Sequence, residues 1–450
     1  MLKRIVYLLI YFSPIYAIAQ NNIADSSFTL TQCLQYAMKN QPALKQSYLD
    51  QSIADANNRI AYSAWLPQLT GVANYNHYFG LPTVFFPSTS TTPGSPPVGT
   101  LVAAHTGLTN VSTPEFEANQ VIFSPDVLIA ARSGHLNTLY AKQNTVSTKI
   151  DLITNVSKAY YDVLLSLQQI NVLKEDTSRL KKNQSDTYHQ YVSGVKDKVD
   201  YKQATISLNN SMAQLTNTIE AAQAKFANLK QLMGYPTDKN FNINFDTTRM
   251  MQEVFFDTTE TLQFQKRIEY QQLETAKRLQ RETTSYYHLG FLPSVSAFYN
   301  YDLEYQANTV PDLFKTSYPY SLWGLNLSIP IFTGFRRTEN VRKAKLQEQR
   351  TDWDKVNMEL GIYTEYKQAM ASYTSNLYNL HAMSENVALA TDVYDIVKLQ
   401  YREGIKAYLD VITAETDLRN SEINYLNALF QLLSSKIDLQ KAMGDITPNI

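Results

Sequence analysis

The sequence predicts a mainly α-helical protein with membrane β-strands, built from two copies of a long helix hairpin, each joined to a pair of strands. Three observations predict it. An offset of 210 residues lays the second half of the chain on the first. Two stretches of 68 and 69 residues, between Pro125 and Gly194 and between Gly334 and Gly404, contain no proline and one glycine each. Short segments near 294–305 and 321–329, and more weakly near 68–79 and 115–123, alternate apolar with polar residues, which is the period of a strand with two unlike faces.

The duplication is the strongest of the three. "YVSGVKDKVDYKQATISLNN" (191–210) lies on "YREGIKAYLDVITAETDLRN" (401–420), matching Tyr191 to Tyr401, Gly194 to Gly404, Lys196 to Lys406 and Asp200 to Asp410. The same offset carries Leu229, Met233 and Gly234 onto Leu439, Met443 and Gly444. "WLPQL" (65–69) matches "FLPSV" (291–295), and "VIFSP" (121–125) matches "PIFTG" (330–334). Between these anchors the first copy is 17 residues longer, and the excess falls in 81–114, rich in Pro, Ser, Thr and Gly, which reads as a long loop. The expected layout is a first repeat over 20–236 with its tip turn at 194, a connector over 237–258, a second repeat over 259–444 with its tip turn at 404, and a tail over 445–450.

Composition narrows the class. A formal net charge of −1 over 450 residues offers no basic face to a nucleic acid. Residues 1–19, with Lys3 and Arg4, an apolar run from Ile5 to Phe12 and Ala17-Ile18-Ala19, read as a secretory signal peptide. The single cysteine, Cys33, has no partner for a disulfide within the chain. Beyond the signal there is no run of 18 apolar residues, so any entry into a membrane is by strands.

Each outgoing helix reaches about 100 Å at 1.5 Å per residue, with Ser124 and Thr333 as candidate caps. The returning helices, 196–233 and 406–443, are shorter, and further short helices are expected over 43–64 and 262–287. A returning helix and a short helix stacked end to end match one long helix, leaving the connector as a belt at mid-height. Ile153, Val156, Tyr160, Val163, Leu167 and Ile170 step alternately by three and four, the seam of a coiled coil. A second seam runs Leu409, Ile412, Thr416, Arg419, Ile423, Leu426, Phe430, Leu433, Ile437.

In the strand after Pro293, Val295, Ala297, Tyr299, Tyr301, Leu303 and Tyr305 share one face and Ser296, Asn300, Asp302 and Glu304 the other, with Phe298 the exception. Trp323, Leu325, Leu327 and Ile329 repeat the apolar face in the last strand. Strands of about ten residues suit a tilted membrane strand. Four are too few to close a barrel, and an open edge is forbidden in lipid. Membrane strands here would therefore be pooled between copies, eight from two or twelve from three. A small soluble sheet with one buried face is the competing reading.

With its repeated order of elements, the chain resembles the TolC-like outer-membrane efflux protein family over nearly its whole mature length. "LTQCLQYAMKNQPALK" (30–45), both LP–strand turns, "IPIFTGFRRTENVRKAK" (329–345) and the segments ending in "LMG" and "AMG" carry the resemblance. It implies a homotrimer: an α-helical barrel in the periplasm continuing a twelve-stranded transmembrane β-barrel in outer-membrane lipid. It implies a passive exit duct for efflux or type I secretion, with a periplasmic membrane-fusion adaptor and an inner-membrane pump of RND or ABC type as partners. By the same resemblance Asp200, Asp410, Tyr401 and Lys406 match entrance positions. The turns at Gly194, Val195, Gly404 and Ile405 match the adaptor-docking tips. Where the family prototype has a second carboxylate three residues after the one at Asp410, this chain has Thr413.

No enzyme is expected. The six histidines are scattered, with no HExxH, no CxxC and no phosphate-binding glycine loop, and no cofactor or metal is expected. A secreted coiled-coil scaffold without a pore is the alternative from another class.

Overall fold

The computed structural model describes residues 27–243, 254–257 and 260–448; the expected signal peptide lies outside them. A two-residue strand β1 (Ser27–Phe28) leads into α1 (Leu30–Asn40). Helix α1 starts at a capping box, with Thr29 and Gln32 each accepting from the other's backbone N–H. Helix α2 (Pro42–Ser63) carries the chain to strand β2 (Gln68–His77). Strands β3 (Thr83–Pro87) and β4 (Leu101–His105) precede β5 (Asn110–Phe123), which runs straight into α3 (Pro125–Val192), capped by Ser124 with Pro125 in its first turn.

The chain turns at Gly194 and returns as α4 (Lys198–Met233), then pairs a short strand β6 (Asn242–Ile243) in parallel with β1. The second copy repeats the scheme: α5 (Ile268–Leu289), β7 (Ser294–Ala307), β8 (Ser317–Ser328), α6 (Arg336–Arg402), a turn at Gly404 and α7 (Tyr408–Met443).

Four strands form one antiparallel sheet in the order β2-β5-β7-β8, so β2 and β8 are its edges. The register sets the faces. Leu69 opposes Ala118, Ala118 opposes Tyr299, and Tyr299 opposes Trp323, one apolar row across all four strands. On the reverse face Glu117 opposes Asn300, while Glu115 opposes Asp302 and Asp302 opposes Tyr320. The apolar row is open to solvent in the single chain, Leu69 by 81%, Trp323 by 76% and Leu325 by 63%.

The core lies at mid-height of the helical part. Val156, Val163, Leu229, Met233, Leu432, Leu439, Ala442 and Met443 are almost fully buried together, with Cys33 and Ala37 of α1. Tyr373 of α6 holds the end of the connector: its hydroxyl accepts from Phe256 N at 3.0 Å and donates to Val254 O at 3.1 Å. The rest of the connector is largely outside the described residues.

The short helices meet end to end. Gln41, at the start of α2, donates through Nε2 to the carbonyl of Leu232 at the end of α4, at 3.0 Å. Arg267, ahead of α5, donates to the carbonyl of Ala442 at the end of α7, also at 3.0 Å. Both junctions need the glycine of the repeated LMG/AMG motif. Gly234 and Gly444 close their helices at φ 65° and 79°, the left-handed region. A Cβ on Gly234 would lie 2.8 Å from the Asn40 carbonyl oxygen, and one on Gly444 would lie 2.9 Å from the Lys266 carbonyl carbon.

Four expectations are corrected. The stretch 81–114 is not all loop: "TVFFP" and "LVAAH" pair as the β3–β4 hairpin, and β5 begins at Asn110. Thr83, Val84, Phe85 and Phe86 are β-branched or aromatic, and pairing them with Leu101–His105 outweighs the surrounding Pro and Gly. Helix α6 begins not at a Thr333 cap but after Phe335, which sits at φ 64° with no side-chain cap. The strand-side helix α5 starts at Ile268 rather than near 262, because a 3-10 turn at Phe264–Lys266 comes first. In the first half of α7 the buried stripe is Val411, Ala414, Leu418, while Leu409 is exposed and Thr416 and Arg419 are half-buried. The helix packs against α6 and α3 at once, so the seam shifts toward small residues and Glu415, which faces α3.

Gly234→Ala or Gly444→Ala, strained in backbone and blocked by backbone atoms, should each lower stability by upwards of about 1 kcal/mol. Gly361→Ala, inside α6 with nothing within 4 Å of a new Cβ, should instead raise it by about 0.5–1 kcal/mol. Thermal unfolding followed by circular dichroism checks the ranking, and Gly234→Ala melting with the parent would refute the end-to-end junction.

The helical tip as a candidate gate and docking site

The two tip turns are copies of one another. Gly194 and Gly404 have φ 76° and 77°, and Val195 N and Ile405 N donate back to Gln190 O and Gln400 O, each at 2.9 Å. A left-handed residue closes each hairpin, which explains glycine at both positions. Val195 and Ile405 are then pushed outward, 70% and 71% exposed, with Val192, Leu399 and Leu409 also bare around them. Exposed aliphatic side chains on a rigid turn form an apolar tip.

The carboxylates expected at the entrance have different settings. Asp410 closes a capping contact: its Oδ2 accepts from Ala407 N at 3.1 Å. Asp200 is not the cap of α4; Asp197 is, accepting from Val199 N at 3.2 Å. Asp200 lies in the first turn near two tyrosines on the other hairpin, where its charge adds to burial in raising the hydroxyl pKa of Tyr401 and Tyr408. Tyr401 packs against Tyr408 with ring centres 5.5 Å apart, and Lys196 Nζ sits 4.7 Å from the Tyr401 ring centre. Lys406 is exposed, and Thr413 turns its hydroxyl back on Leu409 O at 3.0 Å, so it brings no charge. The structure therefore brings Asp200 and Tyr401 together, while Asp410 is engaged with its own helix start.

Sequence reading missed what lies directly behind the tip. Asp176 is fully buried and accepts from Ser211 Oγ of α4 at 2.7 Å, Arg179 Nη2 at 3.4 Å and Arg419 Nη1 of α7 at 3.4 Å. Glu415, 2% exposed, accepts from Arg179 Nε and Asn183 Nδ2, each at 3.3 Å. Two acids and two arginines from α3 and α7, joined by Ser211 of α4, thus form one buried clamp between the hairpins. Burial and the neighbouring Asp176 hold the Glu415 carboxyl above its ordinary value, against the pull of Arg179. The signal for this clamp was present as Arg419, the one charge on a seam that is apolar except for Thr416 beside it.

Among the described residues no group of three His, Cys, Asp or Glu is placed to hold a metal, and no helix is long and apolar enough to cross a membrane. Cys33 is fully buried with its thiol pushed up to about 12 by burial, which removes the reactive thiolate.

Because the folded chain holds the Glu415 proton above the pH at which the unfolded chain loses it, stability should fall as pH rises from about 4.5 through that raised value. Glu415→Gln should flatten this slope. Parallel pH dependences of melting temperature for parent and variant would show that Glu415 ionises normally.

Comparison with known proteins gives a consistent answer. The family model for outer membrane efflux proteins matches residues 127–235 and 261–445. The outer membrane protein TolC of Escherichia coli is 20% identical over 430 residues, 93% of this chain and 82% of that protein. That of Vibrio cholerae is 21% identical over 320 residues, 68% of this chain and 70% of the other. The crystal structure of the Campylobacter jejuni CmeC outer membrane channel superposes with a TM-score of 0.71 at 17% identity, covering 98% of this chain and 94% of that one. Its family model spans well over half of its length, and this chain belongs to the outer membrane efflux protein family.

Proposed function

We propose that the chain is the exit duct of a tripartite efflux or type I secretion system. Three copies pool their strands into a twelve-stranded barrel in the outer membrane. The helix hairpins continue it as an α-helical barrel through the periplasm. A membrane-fusion adaptor docks on the apolar turns around Val195 and Ile405, and an inner-membrane pump of RND or ABC type supplies the energy. The single observation that carries this is the sheet: an apolar face exposed at Leu69, Tyr299, Trp323 and Leu325, and two edge strands, β2 and β8, with no outer partner among the described residues. Four strands cannot close, eight would leave an interior filled by side chains, and twelve leave a lumen.

The opposite face of the same sheet supplies the water-filled side. Glu115 and Asp302 stand directly opposite one another with Glu117 and Glu304 nearby on the same face. Like charges in that position repel unless water and cations screen them, and rings of carboxylates make a pore favour cations. At the far end Asp200, Asp410, Tyr401 and Lys406 form the entrance. Threefold repetition of the two aspartates there adds a second acidic constriction, partly offset by Lys406.

Two substitutions at neighbouring positions of β8 test the barrel. Leu325→Arg places a charge in lipid and should cost about 2–4 kcal/mol near the midplane, visible as loss of assembled protein from outer-membrane fractions. Asn326→Arg points to the lumen and should assemble normally. Equal defects, or the reverse order, would overturn the face assignment.

The entrance has its own test. Asp410→Asn keeps an oxygen to accept from Ala407 N but removes the charge. In planar bilayers it should weaken block by divalent cations and lower cation preference. Unchanged selectivity and block would make Asp410 a helix cap only.

A further inference from the structure

Behind the tip, a polar pocket of about 250 Å³ lies between α3 on one side and α6 and α7 on the other. Its walls hold four hydrogen-bonding atoms that are buried and without a partner: the hydroxyls of Tyr394, Tyr401 and Tyr408, and Gln190 Oε1. Tyr394 and Tyr408 are only 5% and 3% exposed, so solvent does not reach them freely. Buried polar groups are normally satisfied, and three phenols left open into one cavity mark a place for something that accepts hydrogen bonds.

The charges around the pocket say what sign that something has. From α3 come Arg179, Lys182 and Asp186; from α6 come Lys398 and Arg402; α7 contributes Tyr408 and Val411. Arg179 is already matched by Asp176 and Glu415 in the clamp. Among the described residues Lys182, Lys398, Arg402 and Asp186 form no ion pair with one another or with other groups, which leaves three cations against one carboxylate. Lys196 adds a fourth positive charge above the Tyr401 ring, and Asp200 a second negative one beside it. Burial raises the Tyr394 hydroxyl to about 12, so it stays a donor at neutral pH. Asn183 and Thr187 add polar side chains on the α3 wall, and the three tyrosine rings and the Val411 side chain supply the apolar surface.

We propose that this pocket is a binding site for a small aromatic carboxylate, its ring against Tyr394, Tyr401, Tyr408 and Val411 and its carboxylate met by tyrosine hydroxyls and by Lys398 and Arg402. The volume, about eight waters at roughly 30 Å³ each, admits one substituted benzene ring and excludes a peptide or a sugar chain. Such a ligand touches both hairpins at once, so it binds most tightly to the arrangement described here and holds α3 against α6 and α7. Every residue of the site belongs to one chain, so the test does not require the proposed duct.

The test uses full-length protein solubilised in detergent, with benzoate as the probe and titration calorimetry or ligand-observed NMR as the readout. Benzoate should bind saturably, and benzamide, the same shape without the charge, about tenfold more weakly. Inorganic phosphate, charged but without a ring, should also bind more weakly than benzoate. Lys398→Gln with Arg402→Gln should weaken benzoate about tenfold, and Tyr408→Phe, which keeps the ring and removes the donor, several-fold. No saturable binding, or equal affinity for benzoate and benzamide, overturns the proposal without any variant being made. Phosphate binding as tightly as benzoate overturns the aromatic assignment. Benzoate affinity unchanged in both variants places any binding elsewhere.

Discussion

A strand at the edge of a sheet leaves every second N–H and C=O pointing outward, and in hydrocarbon no water is there to meet them. Everything else in this chain is arranged around that constraint. Four strands are held in one sheet by the pairing of β5 with β7, the step that joins the two copies of the repeat. The sheet bares one apolar face and ends in two unpaired strands, so a single chain is unfinished. In the proposed assembly the edges of other copies close it, and closure would fix the symmetry of everything attached below. The hairpins would inherit that symmetry, because α3 and α6 follow β5 and β8 after only a short turn.

The helical part solves a second problem, that of holding a rod about 100 Å long straight with little core. Apolar burial is concentrated at mid-height, where α1 and the ends of α4 and α7 meet the long helices. There the two left-handed glycines let short helices abut without a gap. Toward the tip the apolar core thins, and a buried clamp of Asp176, Arg179, Glu415 and Arg419 takes its place. A buried ion network contributes little net stability, but breaking it is costly, because it leaves a charge unmatched. It suits a junction that must have few defined arrangements rather than many similar ones. The tyrosine pocket lies against this clamp, sharing Arg179 and Asn183 with it.

Much of this was legible in the sequence because repetition doubles each weak signal. Gly194 with Gly404, and Gly234 with Gly444, announced the turns and caps as pairs, and all four adopt the left-handed backbone. The faces of β7 followed from period two alone, since the register places Tyr299 and Trp323 side by side as the alternation requires. Where the reading failed, a tertiary partner decided. The β3–β4 hairpin was hidden by the Pro and Gly around it. The cap at Thr333 lost to a turn that places Phe335 in the left-handed region. The seam of α7 shifted because that helix serves two neighbours. Asp176 and Glu415 carry no local mark at all: they become a clamp only when α3 and α7, more than 200 residues apart in the chain, are laid together.

Amide hydrogen exchange, resolved to single strands in the detergent-solubilised assembly, tests the central claim most directly. If copies complete one another's sheets, the outward-pointing amides of β2 and β8 are paired, and they exchange as slowly as those of β5 and β7. If the chain works alone, β5 and β7 remain protected while the outward amides of β2 and β8 exchange at the rate of an open edge. That second result would contradict a barrel shared between copies, and with it the duct.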